Sequence, residues 1–442
     1  MSTEALAATV IGDIALIVAV SGLLGALARK CGQPAVVGQI VAGVLLGPSV
    51  LGRLPGDPSE RLFPAEALPY LSVLSQVVVV LLVFVAGYEM DLGQLRQGRR
   101  ASVLVAALAL LVPMALGMGA AQAFGPLLAS MDPGAGTDGL FPLFMGVAMS
   151  VTALPVLAAI ARERGLAGTV AGTVATAAAG IMDAAAWLVL AAVVAGGGHA
   201  PGRTWPGTLA LLVLFLAGML LVVRPALSRL TGSARFLRAS QVPLAVALAL
   251  GCAWATASLG LHAVFGGLIA GMAMPRREGA VDPEVLRSAE QCAAMLLPVF
   301  FVTTGLSLDI GALPAEAYAL LAVVVLIATA GKLVPAYAGC RLGGLGGRDA
   351  AVVAVLVNTR GLTELIVLNV ALESGLIGED LFTILVIMAL LTTLVTGPLL
   401  TRVSRPEYVP VAGRTAGAAP GNSTMLDPGT SHGSAALDEA SN

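Results

Sequence analysis

Residues 169–195 read TVAGTVATAAAGIMDAAAWLVLAAVVA, an apolar run whose one charge, Asp183, falls near its middle. At ~1.5 Å per residue, a run of this length forms a helix long enough to cross the ~30 Å hydrocarbon core of a bilayer. A carboxylate at the centre of such a helix costs at least about 2.5–3.5 kcal/mol to insert, so chance rarely leaves one there. The stretch therefore points to a membrane fold and to a site inside it.

The rest of the chain agrees with a lipid solvent. Of 442 residues, 57% are hydrophobic and 11% charged, against the ~25% charged of soluble domains. Apolar runs fall near 7–28, 34–50, 69–90, 101–124, 140–161, 169–195, 207–227, 242–259, 262–274, 290–307, 316–340, 350–373 and 380–402. The expected fold class is thus an all-α polytopic membrane protein of about 13 transmembrane helices, in a domain spanning 1–403. Residues 404–442 are small, polar and rich in Pro and Gly, which predicts a disordered tail without a nucleotide-binding unit. The N-terminus lacks a basic segment before its first apolar run and does not read as a cleaved signal. Cys31, Cys252, Cys292 and Cys340 show no metal-ligand spacing, and disulfides are not expected. A net charge of −2 gives no reason to expect nucleic acid as a partner.

Orientation follows from basic residues, which concentrate in cytoplasmic loops. One alternate set of loops carries Arg29, Lys30, Arg96, Arg99, Arg100, Arg162, Arg164, Arg224, Arg229, Arg235, Arg238, Arg276, Arg277, Arg287, Arg341 and Arg348. The other holds Arg53, Arg61 and Arg203. The expectation is an N-terminus outside the cell membrane and a cytoplasmic C-terminus.

An internal repeat is legible. GQIVAG at 38–43 parallels GGLIAG at 266–271, and VFVAGYEMDL at 83–92 parallels FVTTGLSLDI at 301–310, which pairs Gly87 with Gly305 and Asp91 with Asp309. An offset of seven spans inverts the second copy, the architecture of many secondary transporters, whose sites lie where the halves meet.

Three more polar clusters lie at mid-membrane depth. In SVTALPVLA, Ser150, Thr152 and Pro155 interrupt the fifth span; Pro155 removes a backbone donor and crowds the carbonyl of Val151. Freed carbonyls and the two hydroxyls are then available to a dehydrated cation. In NTRGLTELIVLN, Asn358, Thr359, Arg360, Gly361 and Glu364 break the twelfth span; Arg360 and Glu364, four apart, can pair and read as structural support for an unwound segment. Two broken helices with opposed half-helix ends form a cradle for an ion. Lys332 lies too deep in the eleventh span to snorkel, and reads equally as a proton carrier or a fixed counter-charge.

With VVGQIVAGVLLGPSVLG, MDAAAW, GLHAVFGGLIAGMAMP and LLPVFFVTTGLSLDI added in order, the chain over residues 10–402 resembles the monovalent cation:proton antiporter-2 family, especially the plant cation/H+ exchanger branch and its bacterial relatives. The resemblance implies inverted-topology repeats with crossed, unwound fifth and twelfth helices and Asp183 and Thr152 at the ion site. It implies a homodimer with a dimerisation bundle (approximately 7–90 and 242–307), a linker helix (207–229) and a moving core bundle (approximately 101–195 and 316–402). The family usually has Asn-Asp or Asp-Asp where this chain has Met182–Asp183, which leaves one obvious exchangeable carboxylate.

The expected function is exchange of Na+ or K+ for H+ by alternating access, with Asp183, Thr152 and Ser150 binding the proton or cation and no cofactor. The sequence does not choose between the two ions. Proton-coupled efflux of an organic solute and channel-like potassium efflux stand as alternatives on the same scaffold. An enzyme is not expected, since H-E-x-x-H, G-x-S-x-G and nucleotide-loop motifs are absent.

Overall fold

The computed structural model describes residues 2–89, 100–131, 140–196, 205–233, 241–259, 262–276 and 281–404. Asp91, Arg96, Arg99, Arg203, Arg235, Arg238, Arg277 and the tail from 405 lie outside the described residues.

The first half contains α1 (Thr3–Lys30), α2 (Ala35–Leu46), α3 (Pro58–Leu62), α4 (Leu68–Glu89), α5 (Arg100–Ala123), α6 (Gly125–Met131), α7 (Phe141–Ser150), α8 (Leu154–Glu163) and α9 (Val170–Gly196). The second contains α10 (Trp205–Gly218), α11 (Arg224–Ser233), α12 (Gln241–Ser258), α13 (Ala263–Ala273), α14 (Pro283–Leu306), α15 (Ala315–Leu342), α16 (Gly347–Val357), α17 (Leu362–Glu373) and α18 (Glu379–Val403). A π-helical turn, Met219–Val223, joins α10 to α11. Among the described residues, twelve helical segments are long and apolar enough to cross a membrane, and the shorter α13 is a thirteenth apolar segment.

Helix is the outcome lipid imposes, because a spanning backbone must satisfy its own donors and acceptors. Local signals mark the ends. The Ser2 hydroxyl accepts from Ala5 N at 3.2 Å, Glu4 sits in the first turn of α1, and Arg29 and Lys30 sit in its last, each favourable to the helix dipole. Asp282 caps α14 through Glu284 N at 3.0 Å, with Pro283 opening the helix.

By packing, the spans fall into two groups: α1, α2, α4, α12, α13 and α14, and α5, α7–α9 and α15–α18. The α10–α11 segment touches α9 in one and α13 in the other. Within the first group the repeat is written in glycines. A Cβ on Gly43 would stand 2.6 Å from Val302 O and 2.7 Å from Gly305 Cα, so α2 and α14 meet backbone to backbone. A Cβ on Gly271 would stand 2.7 Å from Tyr88 N and 3.0 Å from Gly87 C, joining α13 to α4 in the same way. Gly38 presses on the Leu24 carbonyl of α1, and Gly266 on the Cys252 carbonyl of α12. So α2 wedges between α1 and α14 as α13 wedges between α12 and α4, with the repeats exchanged. Small residues permit this approach where water supplies no driving force.

The groups meet along α17. Glu373 Oε2 accepts from Gln76 Nε2 at 3.2 Å and lies 2.9 Å from His262 Nε2, while Asn369 Nδ2 donates to Thr304 Oγ1 at 3.1 Å.

Candidate functional site

Two spans are broken in mid-course, and the breaks touch. The first ends at Ser150, runs extended through 151–153 and resumes at Leu154 with Pro155 in the opening turn. The second ends at Val357 and resumes at Leu362 after residues 358–361. Ala153 N donates to Thr359 O at 3.2 Å, and Thr152 Oγ1 donates to Val357 O at 3.1 Å. Four half-helix ends therefore converge.

A broken helix leaves carbonyls without intrahelical donors. Those of α7 are taken by the protein's own cations. Arg360 Nη1 donates to Ala148 O and Nη2 to Met149 O, both at 2.6 Å, while Lys332 Nζ donates to Ser150 O and, at 3.0 Å, to Ala109 O. The sequence reading left freed carbonyls to a transported cation; the fold instead spends these three on Arg360 and Lys332. The Ser150 hydroxyl turns back to Val147 O at 3.0 Å.

Arg360 also donates to Glu364 Oε1 at 2.6 Å, and both side chains are fully buried. The Arg360 amide donates to Thr393 Oγ1 at 3.1 Å, and that hydroxyl donates to Arg360 O at 2.8 Å, so α18 buttresses the break from behind. At Gly361 a Cβ would stand 2.9 Å from Val156 Cγ2, so close packing against α8 demands a residue without one.

Asp183, on α9, is 5% exposed, and its Oδ1 has no hydrogen-bond partner among the described residues. The Thr363 side chain, in the first turn of α17, lies near the same carboxyl. Met182 Sδ lies 4.0 Å from both Thr152 Oγ1 and Lys332 Nζ, so a thioether separates the lysine from the hydroxyl. Sulfur is a soft donor with little affinity for hard alkali cations. Asn358 Oδ1, Thr359 Oγ1 and Glu364 Oε2 are likewise buried and unpartnered.

The structure thus brings Asp183, Thr152, Lys332, Asn358, Arg360, Gly361 and Glu364 to one crossing, with Ser150 present through its carbonyl. Sequence reasoning missed Thr363 and Thr393, whose hydroxyls do not stand out in apolar runs. It also missed Asp13, a 5%-exposed carboxylate in α1 whose interruption of VIGDIALIV was a visible signal. Among the described residues, no group of three or more His, Cys, Asp or Glu side chains could hold a metal.

Known proteins resemble this chain. The transmembrane sodium/hydrogen exchanger family profile covers residues 15–405. Cation/H(+) antiporter 20 of Arabidopsis thaliana is 36% identical over 89% of this chain, which spans 48% of that protein. The Na(+)/H(+) antiporter NhaS4 of Synechocystis is 33% identical over 89% of this chain and 97% of its own. This chain therefore spans about half the length of the plant relative and nearly all of the cyanobacterial one. The solved sodium proton antiporter MjNhaP1 of Methanocaldococcus jannaschii superposes with a TM-score of 0.64, covering 90% of this chain and 99% of that one at 13% identity, which is a likeness of fold.

Proposed function

Since this chain belongs to the sodium/hydrogen exchanger family, a family of ion transporters and not of enzymes, we propose that it exchanges Na+ or K+ for H+, with Asp183 as the shared carrier. The observation that carries this reading is a buried carboxylate with a free oxygen beside two broken, crossing helices. Protonated, Asp183 is neutral; with a monovalent cation in the proton's place it is neutral again. A bare carboxylate crosses a low-dielectric region at high cost, so the two ions move in opposite directions. Thr152 adds a hydroxyl oxygen whose lone pairs remain free after its proton goes to Val357 O.

In this scheme the group containing α5 and α15–α18 is the moving core bundle, approximately 101–195 and 316–402. The group containing α1, α2, α4 and α12–α14 is the dimerisation bundle, approximately 7–90 and 242–307, joined to the core through 207–229. The protein works as a homodimer in the cell membrane, N-terminus outside. Organic-solute efflux fits less well, because it calls for a wider, aromatic-lined cavity, and aromatic residues make up only 4% of the chain.

The test is proton-gradient dissipation in inside-out vesicles with Na+, K+, Li+ and a non-transported cation in parallel. Asp183→Asn keeps size and hydrogen bonding but cannot exchange a proton, and is expected to abolish the response. Near-parental exchange by the purified variant would refute the assignment.

A further inference from the structure

The crossing contains more unsatisfied oxygen than Asp183 alone explains. Buried polar groups are ordinarily bonded, and each one that is not calls for a cause, such as an ion it exists to meet. Among the described residues, Asp183 Oδ1, Asn358 Oδ1, Thr359 Oγ1 and Glu364 Oε2 are all buried and without a hydrogen-bond partner. Two of them, on Asn358 and Thr359, are neutral oxygens in the break of a single span.

These oxygens are held in place. Asn358 Nδ2 donates to Thr392 O at 3.3 Å; a carbonyl only accepts, which fixes the amide's orientation and commits Oδ1 to the other side. The Thr359 backbone is pinned at both ends, its N donating to Leu356 O at 3.1 Å and its O accepting from Ala153 N at 3.2 Å. Both residues are fully buried.

The bonding pattern ties this break to the carboxylate. Thr363, four residues beyond Thr359 and in the first turn of α17, lies near the Asp183 carboxyl. Met182, next to Asp183, touches Thr152, whose hydroxyl reaches Val357 O and whose neighbour Ala153 holds Thr359. The donor set is all oxygen: one carboxylate, one amide and hydroxyls. Hard, weakly polarising cations take such ligands in place of their hydration shell, and the number and field of the oxygens decide which cation is preferred. Glu364 is set apart from this group, because Arg360 neutralises it at 2.6 Å.

We propose that Thr359 Oγ1 and Asn358 Oδ1 coordinate the transported cation together with Asp183, and that Thr359 helps set selectivity among alkali ions. The proposal rests on the exchange reading above. It makes the second broken span a ligand-bearing half of the site as well as a scaffold.

The experiment uses the purified full chain in proteoliposomes and measures half-saturating concentration and maximal rate for Na+, K+ and Li+ at fixed pH. Thr359→Val keeps shape and removes the oxygen. Expected is a roughly tenfold rise in half-saturation for the preferred cation, the loss of about 1.4 kcal/mol of binding, with maximal rate little changed and the ratio between cations altered. Thr359→Ser, which restores the hydroxyl, returns half-saturation to within a factor of about two. Thr359→Ala serves as the oxygen-free variant should the valine variant fail to fold. Unchanged half-saturation for all three ions in the oxygen-free variant, or a fall in maximal rate alone, overturns the proposal. Exchange of no cation by the parent protein overturns the exchange reading itself and is seen separately in the parent arm.

Discussion

Replacing Arg360 by Met removes a guanidinium that makes three 2.6 Å bonds, to Ala148 O, Met149 O and Glu364 Oε1, in a setting with no solvent exposure. Leaving one member of a buried ion pair alone costs about 3–5 kcal/mol. Each orphaned carbonyl adds about 1–3 kcal/mol. The single variant should therefore lose at least about 5 kcal/mol, much of the stability an ordinary domain possesses. Glu364→Leu should cost less, about 3 kcal/mol, because Arg360 keeps both carbonyls. The double variant Arg360→Met with Glu364→Leu carries neither charge and retains only the carbonyl penalty, about 2–6 kcal/mol. The carbonyl penalty is common to the single and double variants and cancels, so the cycle predicts a coupling of about 6 kcal/mol, roughly 3 from each orphaned charge. Equilibrium unfolding in mixed micelles, followed by the fluorescence of buried Trp187, measures it. If Arg360→Met is too unstable to purify, better recovery of the double variant is the expected readout. Additivity within about 0.5 kcal/mol, or a double variant no better recovered than the single, would refute the claim that the two charges act as one unit.

Three further expectations follow from other contacts. Gly43→Ala places a Cβ 2.6 Å from Val302 O and should cost about 1–3 kcal/mol by unfolding midpoint, while Gly12→Ala, with nothing within 4 Å, should be neutral or stabilising; equal effects would remove the packing argument. Thr152→Val should raise the cation concentration needed for half-maximal exchange more than it lowers the maximal rate; an unchanged half-saturation moves Thr152 from ligand to scaffold. If Met182, in place of the family's Asn or Asp, leaves Asp183 as the one exchanging group and Lys332 keeps its proton, one proton leaves per cation bound, and clamped potentials should not shift the gradient at which proton flux reverses. One net charge through 100 mV is worth about 2.3 kcal/mol, and a reversal point that moves with voltage would make Lys332 a second carrier.

Much of the membrane fold was legible because lipid allows few answers. Apolar run length located the spans to within a few residues, although α14 begins at Pro283 and not near 290, since its first turns carry charges that hide it from a hydropathy reading. Pro155 and the NTRG sequence announced the breaks, because proline and clustered polar residues cannot continue an ordinary span. What could not be read was the allotment of bonds. Nothing in the spacing of Arg360, Lys332 and Ser150 says that the two cations would take the carbonyls at the end of α7, because those pairings join residues about 180 or more positions apart. Thr393 was silent for the same reason: a threonine in a helix can satisfy itself on its own backbone, and only the tertiary contact with Arg360 shows that it does otherwise.

The reciprocal glycine contacts, Gly43 with Gly305 and Gly271 with Gly87, are what a two-fold axis generates when two like units meet face to face. The chain can be viewed as an antiparallel dimer of itself, fused by its connecting segments. In a true dimer every substitution at such a face would appear twice, and both contacts would loosen or tighten together. Fusion removes that constraint: a change at Gly43 alters one contact and leaves the one at Gly271 intact. Because α2 and α13 run in opposite directions, the two contacts lie toward opposite membrane faces. A single residue change can therefore alter the packing near one face of the bilayer without a matching change at the other, a freedom that no symmetric assembly of identical halves possesses.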